Sequence, residues 1–181
     1  MSKIGRKPIS FGDLTVEIKG QEVHYKGKNN SGVYFLPDFL TAKVEGHKLF
    51  LIVKDGEKDK NNFWGMHRAL LANVLGGAEK DFERLVEITG LGYKGILSGN
   101  KITFSLGYSH KIDLELPKVV KVVIDKTGQK LTFSSFDKEE LGLFCARVRA
   151  LRPPEPYKLT GIKVAGEVIR KKAGKAKAGS D

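Results

Sequence analysis

The chain of 181 residues has one cysteine, Cys145, one tryptophan and four histidines. A single cysteine permits no internal disulfide and suits a reducing cytoplasm. No run of about 18 apolar residues is present to span a bilayer, and the opening "MSKIGRKPIS" lacks the apolar core of a secretory signal. His24, His47, His67 and His110 are scattered, with no pair at i, i+4 and no cysteine cluster to complete a metal site. There is no G-x-S-x-G and no Walker sequence. The acidic pairs Glu139-Glu140 and Asp55-Glu57 fall at a helix start or in turns, where they serve the helix dipole or solvent. These gaps argue against an enzyme, a cofactor, a metal and a small-molecule substrate. The basic C-terminal stretch has no interleaved Trp, Phe or Leu to bury in a membrane interface, so no membrane partner is expected either.

What is abundant is positive charge. Lys and Arg number 32 against 21 Asp and Glu, a net of +11, which points to a polyanion such as nucleic acid. The charge is uneven: residues 147–181 hold 10 Lys and Arg against 3 Asp and Glu, leaving +4 for the preceding 146 residues. The polyanion is met mainly at the C-terminal end.

The two halves resemble each other. "GQEVHYKG" from Gly20 matches "GNKITFSLG" from Gly99, Leu36-Pro37 matches Leu116-Pro117, "HKLFLIV" from His47 matches "QKLTFSS" from Gln129, and "GMHRALLANVL" from Gly65 matches "GLFCARVRALR" from Gly142, with offsets of 79, 80, 82 and 77. Each half reads strands first and one helix late, the α+β pattern. The fold class expected is α+β: two tandem duplicated domains, each an antiparallel sheet packed with one long α-helix, followed by a basic C-terminal tail. The domains fall at 1–82, 83–170 and, for the flexible tail, 171–181, with the boundary near "GGAEKDF", Gly76 to Phe82, after the first helix. The polar run Lys54 to Asn62 reads as a solvated loop.

"ITGLGYKG", Ile88 to Gly95, has the G-x-G-x-x-G spacing of a dinucleotide loop, which must open a helix. Instead Leu85 to Thr89 reads as a strand, Ser98-Gly99-Asn100 as a turn, and Ile102, Phe104 and Leu106 alternate with polar residues as a second strand. In a hairpin these glycines make a bulge or admit another backbone. Tyr93 and Tyr108 follow Gly92 and Gly107 on its two arms. Two readings stand: an exposed edge presenting Gly92, Tyr93, Lys94, Ser109 and His110 to RNA backbone, or a core tyrosine pair with incidental polar neighbours.

Along the second helix Leu141, Phe144, Cys145, Val148 and Leu151 form an apolar stripe, with Cys145 an inert core thiol within it. Arg147 and Arg149 flank that stripe, and Gly142, Ala146 and Ala150 line the outer face. This face is either solvated or holds phosphate between guanidiniums. "RPPEPYK", Arg152 to Lys158, stops the helix because Pro153, Pro154 and Pro156 lack amide donors. The chain is expected to leave stiffly there, pass through a short strand-like piece and end in a Lys/Gly/Ala tail that orders only on a polyanion. The proline exit and the tail favour RNA or DNA contact.

"MSKIGRKPI", "GYKG", "LGYSH" at Leu106 to His110, "PEPYK" at Pro154 to Lys158 and "EVIRKKAGK" at Glu167 to Lys175 resemble, in order and spacing, the bacterial L-six family of large-subunit ribosomal proteins. The resemblance covers nearly the whole chain. It implies two similar α+β domains and no catalysis. It implies a structural constituent of the cytoplasmic large ribosomal subunit, with large-subunit ribosomal RNA and neighbouring ribosomal proteins as partners. The second domain would lie on 23S RNA near the sarcin-ricin region and the factor-binding side, close to the stalk base. Carried onto the matching motifs, with the residues read above, RNA contacts are expected from Lys111, Arg147, Arg149, Arg152, Pro154, Tyr157, Lys158, Lys163, Arg170, Lys171, Lys172 and Lys175. The sequence departs from the family pattern at Lys111, at Leu159-Thr160 and in "KGKNN" from Lys26. The alternative is a non-ribosomal RNA- or DNA-binding protein using the same basic C-terminal domain.

Overall fold

A computed structural model describes residues 2–54 and 60–174. The chain is α+β with antiparallel strand pairs and two helices, arranged as two compact units. One runs to Phe82 and includes Phe136–Lys138; the other comprises Glu83–Ser135 and the chain from Glu139 onward.

In the first unit β1 (Ile9–Ser10), β6 (Lys48–Val53) and β5 (Leu40–Glu45) form one sheet in the order β1-β6-β5. A second sheet has β2 (Thr15–Lys19), β3 (Glu22–Lys26) and β4 (Ser31–Phe35) in the order β2-β3-β4. Helix α1 (Asn61–Glu79) buries Trp64, Leu71, Leu75 and Ala78 among Val23, Leu36, Leu40, Leu49 and Leu51. The ends of α1 add little: it has no side-chain N-cap, no acid in its first turn and no base in its last. Its stability therefore comes from the buried face, about 1.5–3 kcal/mol for each large apolar side chain.

Two expectations fail at the ends of α1. The helix does not stop before "GGAEKDF" but continues through Gly76 and Gly77 to Glu79. These glycines serve packing: a Cβ on Gly77 would stand 1.9 Å from the Phe136 carbonyl oxygen. At the other end Asn61 and Asn62, read as loop, begin the helix, while residues 55–59 of that run lie outside the described residues.

In the second unit β7 (Phe82–Thr89), most of which lies here, belongs to a four-stranded sheet with β11 (Lys121–Ile124), β12 (Lys130–Ser135) and β13 (Gly161–Val164), ordered β11-β12-β7-β13. A three-stranded sheet, β10-β9-β8, contains β8 (Lys94–Ser98), β9 (Lys101–Ser105) and β10 (Ile112–Glu115). The expected alternation in β9 is present, with Ile102 and Phe104 fully buried. Helix α2 (Lys138–Leu151) buries Leu141, Phe144, Cys145 and Val148 of the stripe read from the sequence, while Leu151 at its end is only half-buried, and Phe144 meets Phe133 edge-on at 5.3 Å. Glu139 and Glu140 in its first turn and Arg149 in its last suit the helix dipole. Cys145 is buried, and that burial pushes its thiol up to about 11, as an inert core cysteine requires.

The proline segment does not lead the chain away from the core. After Pro156 a turn brings it back, and β13 pairs antiparallel with β7, Ile162 opposite Ile88, with Ile162 fully buried. The return is fixed by Gly161, whose φ is +136°: a Cβ there would lie 2.6 Å from the Pro153 oxygen and 2.8 Å from the Pro154 Cα. No L side chain fits both that backbone angle and that gap.

Candidate nucleic-acid interface

The hairpin of β8 and β9 opens where Lys94 pairs with Ser105. Tyr93 and Tyr108 stand just beyond that end, one on each arm. Tyr93 is half-buried, and its ring occupies the space that side chains at Gly90 and Gly107 would need, at 2.5 and 2.8 Å from their absent Cβ atoms. Gly95 faces Phe104 and Leu131 of the core. Three glycines of the region thus admit this protein's own rings and core. Gly92 differs, because it has φ +75° and nothing within 4 Å of a Cβ. Of the G-x-G-x-x-G set it alone combines left-handed backbone with open space, beside the fully exposed Leu91.

Arg152, one residue past α2, closes the mouth of the hairpin. Its guanidinium lies 5.1 Å from the Tyr93 ring centre and 4.9 Å from that of Tyr108, and Nη1 donates to the Leu106 carbonyl at 2.6 Å. Tyr108 returns the contact by donating its hydroxyl to the Leu151 oxygen at 3.1 Å, and it stacks on His110 with ring centres 6.1 Å apart. A guanidinium between two aromatic faces is held by both of them as well as by its hydrogen bond.

The expected RNA-contacting cations sort into two groups. Three are committed inside the protein: Arg152 as described, Arg149 to Glu167, and Lys163 to Glu87 at 2.8 Å. The Arg149 pair is bidentate, with Nε donating to both carboxylate oxygens at 3.0 and 2.9 Å and Nη2 to Oε1. Each partner is shifted accordingly: hydrogen bonding to Glu167 raises Arg149 further, and hydrogen bonding to Arg149 holds the Glu167 carboxyl below its usual range. Glu87 is likewise lowered, first by its hydrogen bond to Lys163.

The second group is exposed and makes no ion pair among the described residues: Lys94, Lys111, Arg147, Lys158, Arg170, Lys171 and Lys172. Ser109, His110 and Tyr157 are exposed among them. Pro154 is half-buried, against Gly161. Lys175 lies outside the described residues.

Internal bonds tie the hairpin mouth and the segment beyond β13 to the C-terminal end of α2. The hairpin mouth is tied to it through Arg152 and Tyr108. The turn over residues 156–158 is closed by Glu155 N donating to Thr160 O at 2.9 Å and Leu159 N to Glu155 O at 2.9 Å. The segment beyond β13 is tied back by Arg149 to Glu167 and by Lys172 N to Pro156 O at 3.0 Å. Residues 171–174, expected as free tail, thus include an anchored amide. Glu167 was missed from the sequence; its one signal is a lone acid in "AGEVIRKKAGK".

Among the described residues no His, Cys, Asp and Glu cluster could hold a metal, and no helix is long and apolar enough to cross a membrane. What the fold and surface define is a basic α+β protein whose second unit carries exposed cations that make no ion pair among the described residues.

The comparisons with known proteins carry this to a family. The model of the family described as ribosomal protein L6 matches residues 87–165. The large ribosomal subunit protein uL6 of Beijerinckia indica is 37% identical over 178 residues, covering 98% of this chain and all of the relative. That of Picosynechococcus is 38% identical over 177 residues, covering 97% and 98%, and that of Synechocystis 38% identical over 176 residues, covering 97% and 98%. The chain belongs to the uL6 family of large ribosomal subunit proteins, structural and non-enzymatic components of the ribosome.

Proposed function

We propose that this chain binds large-subunit 23S ribosomal RNA through its second unit, near the sarcin-ricin region and the factor-binding side and close to the stalk base, in the bacterial cytoplasm beside neighbouring large-subunit proteins. The observation that carries the reading is the sorting of cations. Arg149, Arg152 and Lys163 build the surface, and Lys94, Lys111, Arg147, Lys158, Arg170, Lys171 and Lys172 remain on it without carboxylate partners. Unpaired cations held by a folded scaffold are what phosphate contact needs, because phosphates fix register and supply most of the affinity. Gly92, with open space around it, admits a close backbone, and the stacked Tyr108 and His110 offer an aromatic face. Membership of the uL6 family and the family motifs at "GYK", "GYSH" and "PEPYK" support the particular RNA region.

The two units are, in this reading, a tandem duplication. Supporting it, the matched Leu-Pro corners use the same bonds: Leu36 N to Gln21 O at 2.8 Å and Leu40 N to Pro37 O at 2.9 Å, against Leu116 N to Asn100 O at 2.9 Å and Val120 N to Pro117 O at 3.0 Å. The repeats in this reading are the two compact units, the first to Phe82 with Phe136–Lys138 and the second from Glu83, with the basic segment last.

The test is a sedimentation profile of a cell lysate followed by ultraviolet crosslinking within the large subunit. Co-migration with that subunit, release only at high salt and crosslinks in the sarcin-ricin region support the reading. A purely soluble pool, or crosslinks confined to another RNA region, overturns it.

A further inference from the structure

The stretch from Gly166 to Gly174 carries Arg170, Lys171 and Lys172 and has no helix or strand. It is nevertheless held at both ends. Just before it, Ala165 N donates to Leu85 O of β7 at 2.8 Å. Glu167 N donates to Val164 O at 3.0 Å while the Glu167 carboxylate takes the Arg149 guanidinium bidentately and also accepts from Val164 N at 3.4 Å. Further on, Lys172 N donates to Pro156 O at 3.0 Å, in a turn that Glu155 and Thr160 close. Arg149 stands on the last turn of α2, which is anchored through Val148 in the core.

An acid beside three cations is a liability for a surface that must meet phosphate, since it repels the same ligand. We propose that Glu167 is a positioning residue: clasped by Arg149, it fixes the path of residues 167–174 before RNA arrives, so that Arg170, Lys171 and Lys172 stand beside Tyr157 and Lys158 as one preformed surface. The inference rests on the RNA-binding reading above. Ordering a residue's backbone costs roughly 1–2 kcal/mol, so a segment ordered in advance spares binding that term. Because Glu167 is held below the ordinary carboxylate range, the clasp persists through neutral pH.

The clasp and simple charge counting predict opposite signs. Glu167→Gln leaves shape nearly unchanged and raises the net charge by one, so counterion release alone makes RNA binding equal or tighter. Positioning makes it weaker, by roughly tenfold if the ordering of about one residue is lost. The experiment measures binding of the full chain to protein-free large-subunit ribosomal RNA, with thermal melting to verify folding and amide exchange at Lys172 as a readout independent of RNA. A second variant, Arg149→Glu with Glu167→Arg, keeps net charge and reverses the pair.

The expected result is weaker binding and faster Lys172 exchange in Glu167→Gln, with the reversed pair recovering most of both. Equal or tighter binding by folded Glu167→Gln overturns the inference and leaves the RNA-binding reading standing, as does unchanged Lys172 exchange. If Glu167→Gln fails to fold, the reversed pair decides, and its failure to restore wild-type binding counts against positioning. Absence of binding by the wild-type chain overturns the underlying reading, and this inference with it.

Discussion

Arg152 sits with its guanidinium 4.9 Å from the ring centre of Tyr108, whose hydroxyl in turn bonds the carbonyl of Leu151, the residue before the arginine. The two side chains lock the end of α2 to the mouth of the β8–β9 hairpin, and Tyr93 on the other arm completes the enclosure. Arg152, expected from the sequence as an RNA contact, fastens two elements of the fold. Arg152→Ala removes two cation–π contacts and a charged hydrogen bond, so it is expected to lower stability by roughly 1–3 kcal/mol. Arg147→Ala, which touches no carboxylate among the described residues, is expected to change stability by less than about 0.5 kcal/mol. Denaturant unfolding of both variants checks the pair, and equal stability of the two speaks against the fastener.

Two glycines near the helix are expected to respond in opposite directions. Gly161→Ala meets the Pro153 and Pro154 backbone at φ +136° and is expected to destabilise by roughly 1–3 kcal/mol or more. Gly142 lies in α2 with nothing within 4 Å of a Cβ, so Gly142→Ala is expected to stabilise by about 0.5–1 kcal/mol through helix propensity. Thermal melting of the two variants settles the signs.

A pH dependence follows from His67 in the first unit. Its Nδ1 lies 2.9 Å from the Tyr34 hydroxyl, its ring meets Tyr34 and Phe39 edge-on, and burial lowers its pKa below 6.5. With the folded value below the unfolded one, the unfolded chain binds the proton more readily. Stability from this group is therefore complete above pH 6.5 and declines as pH falls through the folded value. His67→Gln is expected to flatten that limb of a stability-versus-pH curve, and an unaltered limb assigns the dependence elsewhere.

Local pattern made much of the fold legible. The alternation of Ile102 and Phe104 gave β9, the glycine turn at Gly99 joined it to β8, and the spacing of Leu141, Phe144, Cys145 and Val148 gave α2 its buried face. What stayed hidden depends on contacts distant in sequence. Three prolines in seven residues read as an exit because the return needs Gly161 to fit under Pro153, a tertiary fact. Gly76 and Gly77 read as a helix end because the Phe136 carbonyl that Gly77 makes room for is not local. The candidate interface was legible as basic segments and not as the state of each cation. The basic segments that bring Lys158 and Lys171 to the surface were visible, but composition cannot tell a cation facing solvent from one such as Arg149, spent on a carboxylate 18 positions away.

The most direct test of RNA binding by the second unit is the salt dependence of affinity for protein-free large-subunit ribosomal RNA, compared between the full chain and a variant with Lys158→Ala, Arg170→Ala and Lys171→Ala. All three residues are exposed, so folding is expected to be unaffected. Each phosphate contact contributes about 0.7–0.9 to the slope of log affinity against log salt, so the variant's slope is expected to be shallower by roughly two to three. An identical slope in the folded variant contradicts the account, because the phosphates would then be met by some other surface.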